Sequence, residues 1–136
     1  MSQSMILRIG AAVSAVFGLA LVFAPNQLVT AYGADELNQT GIYNSMLYGA
    51  TLLGIAIMNW MASSASVEHA RFVVLGNFAA SAFAALVALV RQVGTDTAHT
   101  AGWINVAIFV LFAVLYGYLY FAREAVERHT AGIGAR

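Results

Sequence analysis

An all-α bundle of four membrane-spanning helices, with both termini in the cytoplasm, is the fold this sequence predicts. Three observations carry that prediction. Of 136 residues, 61% are hydrophobic and 9% charged, whereas a soluble domain has about a quarter charged and just under half apolar. The apolar residues gather into four continuous runs, and a bilayer core about 30 Å thick needs about 20 apolar residues for one helical crossing. The segments between the runs are too short to fold as a soluble domain, so residues 1–136 read as a single membrane domain.

The runs are Met5 to Ala24, Ile42 to Ala62, Phe72 to Val90 and Gly102 to Ala122. Barrel strands would instead alternate apolar and polar residues over about ten positions. A helix satisfies its own backbone hydrogen bonds in lipid, and continuous runs suit it. The first run also ends like a signal peptide, at Val22-Phe23-Ala24. It is longer than the usual 7–15-residue apolar region, and Pro25 directly after it would hinder cleavage, so a retained helix is expected. Pro25 can open a short helix, with Leu28, Val29 and Tyr32 on one face and Gly33 as its stop. This piece is expected to lie on the outer leaflet. Beyond Ala122, Arg123 with Glu127 and Glu124 with Arg128 are four residues apart, which extends the last helix a turn or two into the cytoplasm.

Orientation follows from arginine. Arg8, Arg71, Arg123, Arg128 and Arg136 fall on one side and Arg91 alone on the other, which assigns both termini to the cytoplasm. Asp35, Glu36 and Asp96 are then outside. Tyr43 and Trp103 mark the outer interface, and Trp60 and Tyr120 the inner one.

Composition also limits the chemistry. Six basic and six acidic residues cancel, so no electrostatic case exists for nucleic-acid binding. There is no Cys, hence no thiolate metal site or iron–sulfur cluster. There is no Lys either, hence no P-loop and no Schiff base. His69, His99 and His129 lie outside the runs, and His69 and His99 fall on opposite sides, so no shared metal site is expected. No cofactor is expected. Intramembrane Asp, Glu, His or Arg, the mark of pumps and ion-coupled transporters, does not occur mid-span. No nucleophile–base pair is visible, which predicts a protein that is not an enzyme.

Small residues let helices approach closely in lipid. Gly10, Ser14 and Gly18 form such a seam on the first helix, Ala50 and Gly54 on the second, Gly76, Ala80 and Ala84 on the third, and Ala113 with Gly117 on the fourth. These seams suit packing within one chain, and equally a homo-oligomer. Four Asn lie within the spans. Asn44 and Asn105 each follow a Gly by three residues at an outer helix end, and are expected to lie close together inside the bundle. With Tyr43, Tyr48 and Trp103 they form a candidate site for a lipid or quinone headgroup; the plainer reading is interhelical hydrogen bonding. Asn59 and Asn77 lie nearer the inner ends. Asn38-Gln39-Thr40 fits the weak glycosylation pattern.

Leu7-Arg8 leading into a Gly-rich helix that ends Phe23-Ala24-Pro25, then Met58-Asn59-Trp60, Leu75-Gly76-Asn77, Gly102-Trp103 and Tyr116-Gly117-Tyr118, resembles the small bacterial four-helix membrane proteins of DoxX-like type. The resemblance implies the four-helix fold and a bacterial inner membrane, and no substrate or functional residue. The leading functional expectation is a self-assembling or accessory subunit of a larger membrane complex, surrounded by membrane lipids. The alternative is a binder or carrier of a hydrophobic small molecule.

Overall fold

A computed structural model describes residues 2–94 and 102–133, with side chains described as far as 122. The expected positions of Asp96, His99 and the Arg123–Glu127 and Glu124–Arg128 pairs lie outside the described side chains. The described chain is helical, without strands: α1 (Gln3–Phe23), α2 (Pro25–Ala31), α3 (Gln39–Ser63), α4 (Val67–Gly94) and α5 (Gly102–Ile133). All but α2 contain a stretch long and apolar enough to cross a membrane.

Helix ends fall where local chemistry sets them. The Ser2 side chain accepts from the Met5 amide at 3.2 Å and starts α1. Pro25, lacking an amide hydrogen, breaks α1 from α2 and occupies the first turn of α2, where that hydrogen is not needed. Gly33 closes α2 with φ 78°, in the left-handed region. Its amide bonds the Thr30 carbonyl at 2.9 Å and the Ala34 amide bonds the Val29 carbonyl at 3.1 Å, the paired bonds of a Schellman stop. The Asn26 side chain accepts from the Leu37 amide at 2.9 Å, tying the return loop to the start of α2. Asn38, read above as a glycosylation acceptor, caps α3 by accepting from the Gly41 amide at 2.8 Å. The spanning helices overrun the apolar runs. α3 begins three residues before Ile42, and α4 extends over Val67–Gly94 beyond the expected 72–90. Charged and polar flanks such as Glu68, Arg71, Arg91 and Gln92 end a hydropathy run without ending a helix.

The chain forms two helix pairs. α1 packs along α3, and α4 along α5; the two pairs meet each other far less, through α3 with α4 and α1 with α5. The pairs close together at the end that carries the termini. There Ile6 and Leu7 of α1, Ala62 of α3, Ala70 and Val74 of α4, and Tyr116 and Leu119 of α5 form one buried cluster. Arg8 and Arg71 ring this end. Arg8 lies 5.9 Å from the Trp60 ring and donates to the Ser63 hydroxyl at 3.5 Å. Arg71 lies 5.1 Å from the Tyr120 ring and donates to its hydroxyl at 3.4 Å. Large apolar side chains such as Phe23, Phe72, Phe83 and Phe121 point outward, as expected of surface that meets lipid rather than water.

Candidate functional site: a cleft floored by two asparagines

Toward the α2 end a cleft of about 740 Å³ separates the two helix pairs. Its wall is largely apolar, from Val13, Phe17 and Leu21 of α1, Leu52 and Ile55 of α3, and Ile108, Phe109 and Phe112 of α5. Leu28, Val29 and Tyr32 of α2 line it too. These three share one face, as expected, and that face turns into the cleft. Arg91, Gln92 and Gly102 stand at the same end.

The floor is polar and draws on all four long helices. Asn77 of α4 donates from its side-chain nitrogen to the Asn59 side-chain oxygen of α3 at 2.6 Å. The same nitrogen donates to the Val73 carbonyl at 2.9 Å. Tyr116 of α5 hydrogen-bonds Asn59. Gly10 of α1 makes room for that contact, since a Cβ on Gly10 would collide with the Tyr116 hydroxyl and lie 3.3 Å from the Asn59 amide nitrogen. Asn59, Asn77 and Tyr116 are only 1%, 8% and 2% exposed, and all three contribute to the cleft. In lipid a polar side chain without a partner is costly, so a bonded cluster also fixes how the two pairs dock.

The sequence-derived site is divided by this geometry. Tyr48 and Asn105 line the cleft. Tyr43, Asn44 and Trp103 do not; each is exposed. Asn44 and Asn105 therefore do not form the inward-facing pair expected of them. Their matched spacing from a Gly sets equal depth on two helices but not equal rotation about each axis. At 3.6 residues per turn, one residue shifts direction by about 100°. The inner pair, Asn59 and Asn77, forms the cluster instead. Each shares the buried side of its helix with neighbouring small or apolar residues, Ala56 and Ala62 on α3 and Ala70 and Val74 on α4, a side that no pattern in the sequence marks.

The small-residue seams are corrected likewise. Gly10, Gly18 and Gly117 pack closely: Gly10 against Tyr116, Gly18 against Gly49 and Leu53, and Gly117 against Phe78. Ser14 and Ala84 line the cleft, as does Ala80. Gly54 and Gly76 have nothing within 4 Å of a would-be Cβ, and Ala50 is exposed. The α3 seam runs through Gly49, one residue from Ala50. The α4 stripe borders a void, where no backbone approaches it.

The chain matches no known protein family, no curated protein and no solved structure.

Proposed function

We propose that this protein is a non-enzymatic, multi-pass membrane protein that binds a hydrophobic small molecule, a lipid or quinone, in the cleft between its two helix pairs. One observation carries the reading: an apolar cleft of about 740 Å³ ending in a buried polar cluster. Small-molecule sites are commonly 300–1,000 Å³, mostly apolar, with a few convergent polar groups that set orientation. Binding and release need no reacting group, and the lining offers apolar contact with neutral amides and hydroxyls, and Arg91 at the α2 end. The DoxX-like resemblance and the arginine distribution add the bacterial inner membrane and cytoplasmic termini to this proposal.

Extraction in mild detergent, followed by native mass spectrometry and lipid analysis, tests it. Wild-type protein should retain one lipid-like molecule per chain. Ala84→Trp, which fills the cleft from α4, should remove it while helicity is kept. A bound mass unaffected by Ala84→Trp would place the molecule elsewhere and overturn the reading.

A second reading, assembly with itself or within a larger membrane complex, is favoured by Gly54 and Gly76. Both leave a helix backbone uncovered within the protomer, and small residues at such positions admit a neighbouring helix. Gly54→Leu with Gly76→Leu should abolish an oligomer seen by native mass spectrometry. A strictly monomeric wild type would end this reading.

A further inference from the structure

The floor of the cleft has hydrogen-bonding capacity that the protein leaves unused. Both hydrogens of the Asn77 side-chain nitrogen are committed, to Asn59 and to the Val73 carbonyl. The Asn77 side-chain oxygen accepts from no described residue. No fully enclosed side-chain oxygen or nitrogen lacks a partner among the described residues, so this oxygen must be the part of Asn77 that reaches the cleft. On the other side of Asn59, the Tyr116 hydroxyl accepts from the Asn59 amide, and its own hydrogen has no acceptor among the described residues. The floor thus presents one acceptor and one donor, flanking a saturated amide.

The lining at the floor carries no charge. The floor residues Asn59, Asn77 and Tyr116 and the neighbouring Ser14 and Ser81 are all neutral. Arg71 lies nearer along α4, six residues from Asn77, but stands outside the lining, over the Tyr120 ring; the lining's own cation, Arg91, is fourteen residues from Asn77, about 21 Å at 1.5 Å per residue. Gly102 is equally far from Tyr116 along α5. A carboxylate or phosphate carried to the floor would lose its hydration with no charged side chain in contact to replace it. A bare hydrocarbon end would leave the Asn77 oxygen and the Tyr116 hydrogen without partners.

We infer that the cleft takes a lipid whose polar end is an uncharged hydroxyl, inserted head first. The hydroxyl donates to the Asn77 oxygen and accepts from Tyr116, and its hydrocarbon body lies along Val13, Phe17, Leu52 and Ile108 toward α2. A hydroxyl group both donates and accepts, so it answers both open positions, whereas a quinone carbonyl only accepts and answers one. This assignment rests on the cleft being a binding site, as proposed above.

Delipidated protein in nanodiscs, titrated with probes that carry saturated tails of ten or twelve carbons, separates the two proposals by native mass spectrometry. Dodecanol and monolaurin present the hydroxyl from two lipid sources. Laurate at alkaline pH presents an anion, decylubiquinone a carbonyl ring, and dodecane no head. Both hydroxyl probes should bind about tenfold or more tightly than laurate, the quinone or dodecane. Tyr116→Phe and Asn77→Leu, checked for retained helicity, should each erase that preference while dodecane still binds. Should either variant unfold, Asn77→Asp serves in its place, since a fixed negative charge at the acceptor would widen the margin of the hydroxyl probes over laurate only if the head sits there. Equal binding of all probes, unchanged by Tyr116→Phe, would overturn head-first insertion and leave the binding site standing. Preference for laurate, lost in Arg91→Gln, would place the head at the α2 end and overturn the orientation. No binding of any probe would overturn the binding site itself.

Discussion

Gly18 of α1 and Gly49 of α3 face each other backbone to backbone. A Cβ on Gly18 would lie 2.9 Å from the Gly49 carbonyl oxygen, and one on Gly49 would lie 2.8 Å from the Gly18 carbonyl oxygen. Backbone cannot move aside as a side chain can, so either glycine becomes a wedge when substituted. Gly18→Ala or Gly49→Ala should destabilise the protein by about 1–3 kcal/mol, the usual range for overpacking. Ala50→Leu, one residue away and exposed, should leave the thermal midpoint in detergent unchanged. Equal loss from Gly49→Ala and Ala50→Leu would contradict this crossing.

Gly10 is small for a different reason. Its missing Cβ leaves space for a hydroxyl, not for a helix. Gly10→Ala should therefore destabilise wild-type protein but have a smaller effect in Tyr116→Phe, where the obstructing oxygen is gone. Gly54→Ala and Gly76→Ala meet no atom within 4 Å, and alanine is the better helix former by up to about 1 kcal/mol. They should keep or raise the midpoint of the isolated protomer. Thermal melts of these variants, with the Gly10→Ala and Tyr116→Phe double variant, test the distinction.

Much of the fold is legible in residue order, because a bilayer imposes length and apolarity on any spanning helix. Pro25 and Gly33 announce α2 equally plainly, since one lacks an amide hydrogen and the other reaches positive φ. Helix rotation is harder to read. Lipid and protein interior are equally apolar, so the spans lack the polar outer face that shows which side of a soluble helix is buried. That is why residue order does not separate Gly49 from Ala50, and why Asn44 reads as an inward residue when it is exposed. Asn59 and Asn77 resemble any other membrane asparagine until four helices converge on them. The cleft itself is a space between pairs, and no local pattern encodes it.

Asn59 should matter more to stability than Asn77, although Asn77 has the more open contact with the cleft. Asn59→Leu removes the acceptor of Asn77 and the partner of Tyr116 together. Asn77→Leu breaks one contact between helices; its other bond, to the Val73 carbonyl, lies within α4. Side-chain hydrogen bonds between membrane helices average about 0.6 kcal/mol, reaching about 1.7. A double-mutant cycle should give a coupling in that range between the two residues, with Asn59→Leu the worse single variant. Strict additivity would show that the contact between α3 and α4 contributes nothing.

The two ends of the bundle differ in a way that bears on orientation. Arg8 and Arg71 ring the end that carries the termini, each set over an aromatic ring that belongs at a membrane interface. Asp35 and Glu36 follow α2 at the opposite end. Arginine is retained on the cytoplasmic side when loops are short, so the terminal end should be cytoplasmic and α2 should lie outside. The chain contains no Cys, which makes single labels unambiguous. Ala34→Cys, beside the exposed stop of α2, should react with a membrane-impermeant maleimide in intact cells. Ser2→Cys should react only after the membrane is permeabilised. The reverse pattern would turn the protein over in the membrane and open its cleft toward the cytoplasm. Labelling of both sites in intact cells would mean a mixed orientation, and the single Arg91 at the α2 end would then be enough to oppose the arginines at the other.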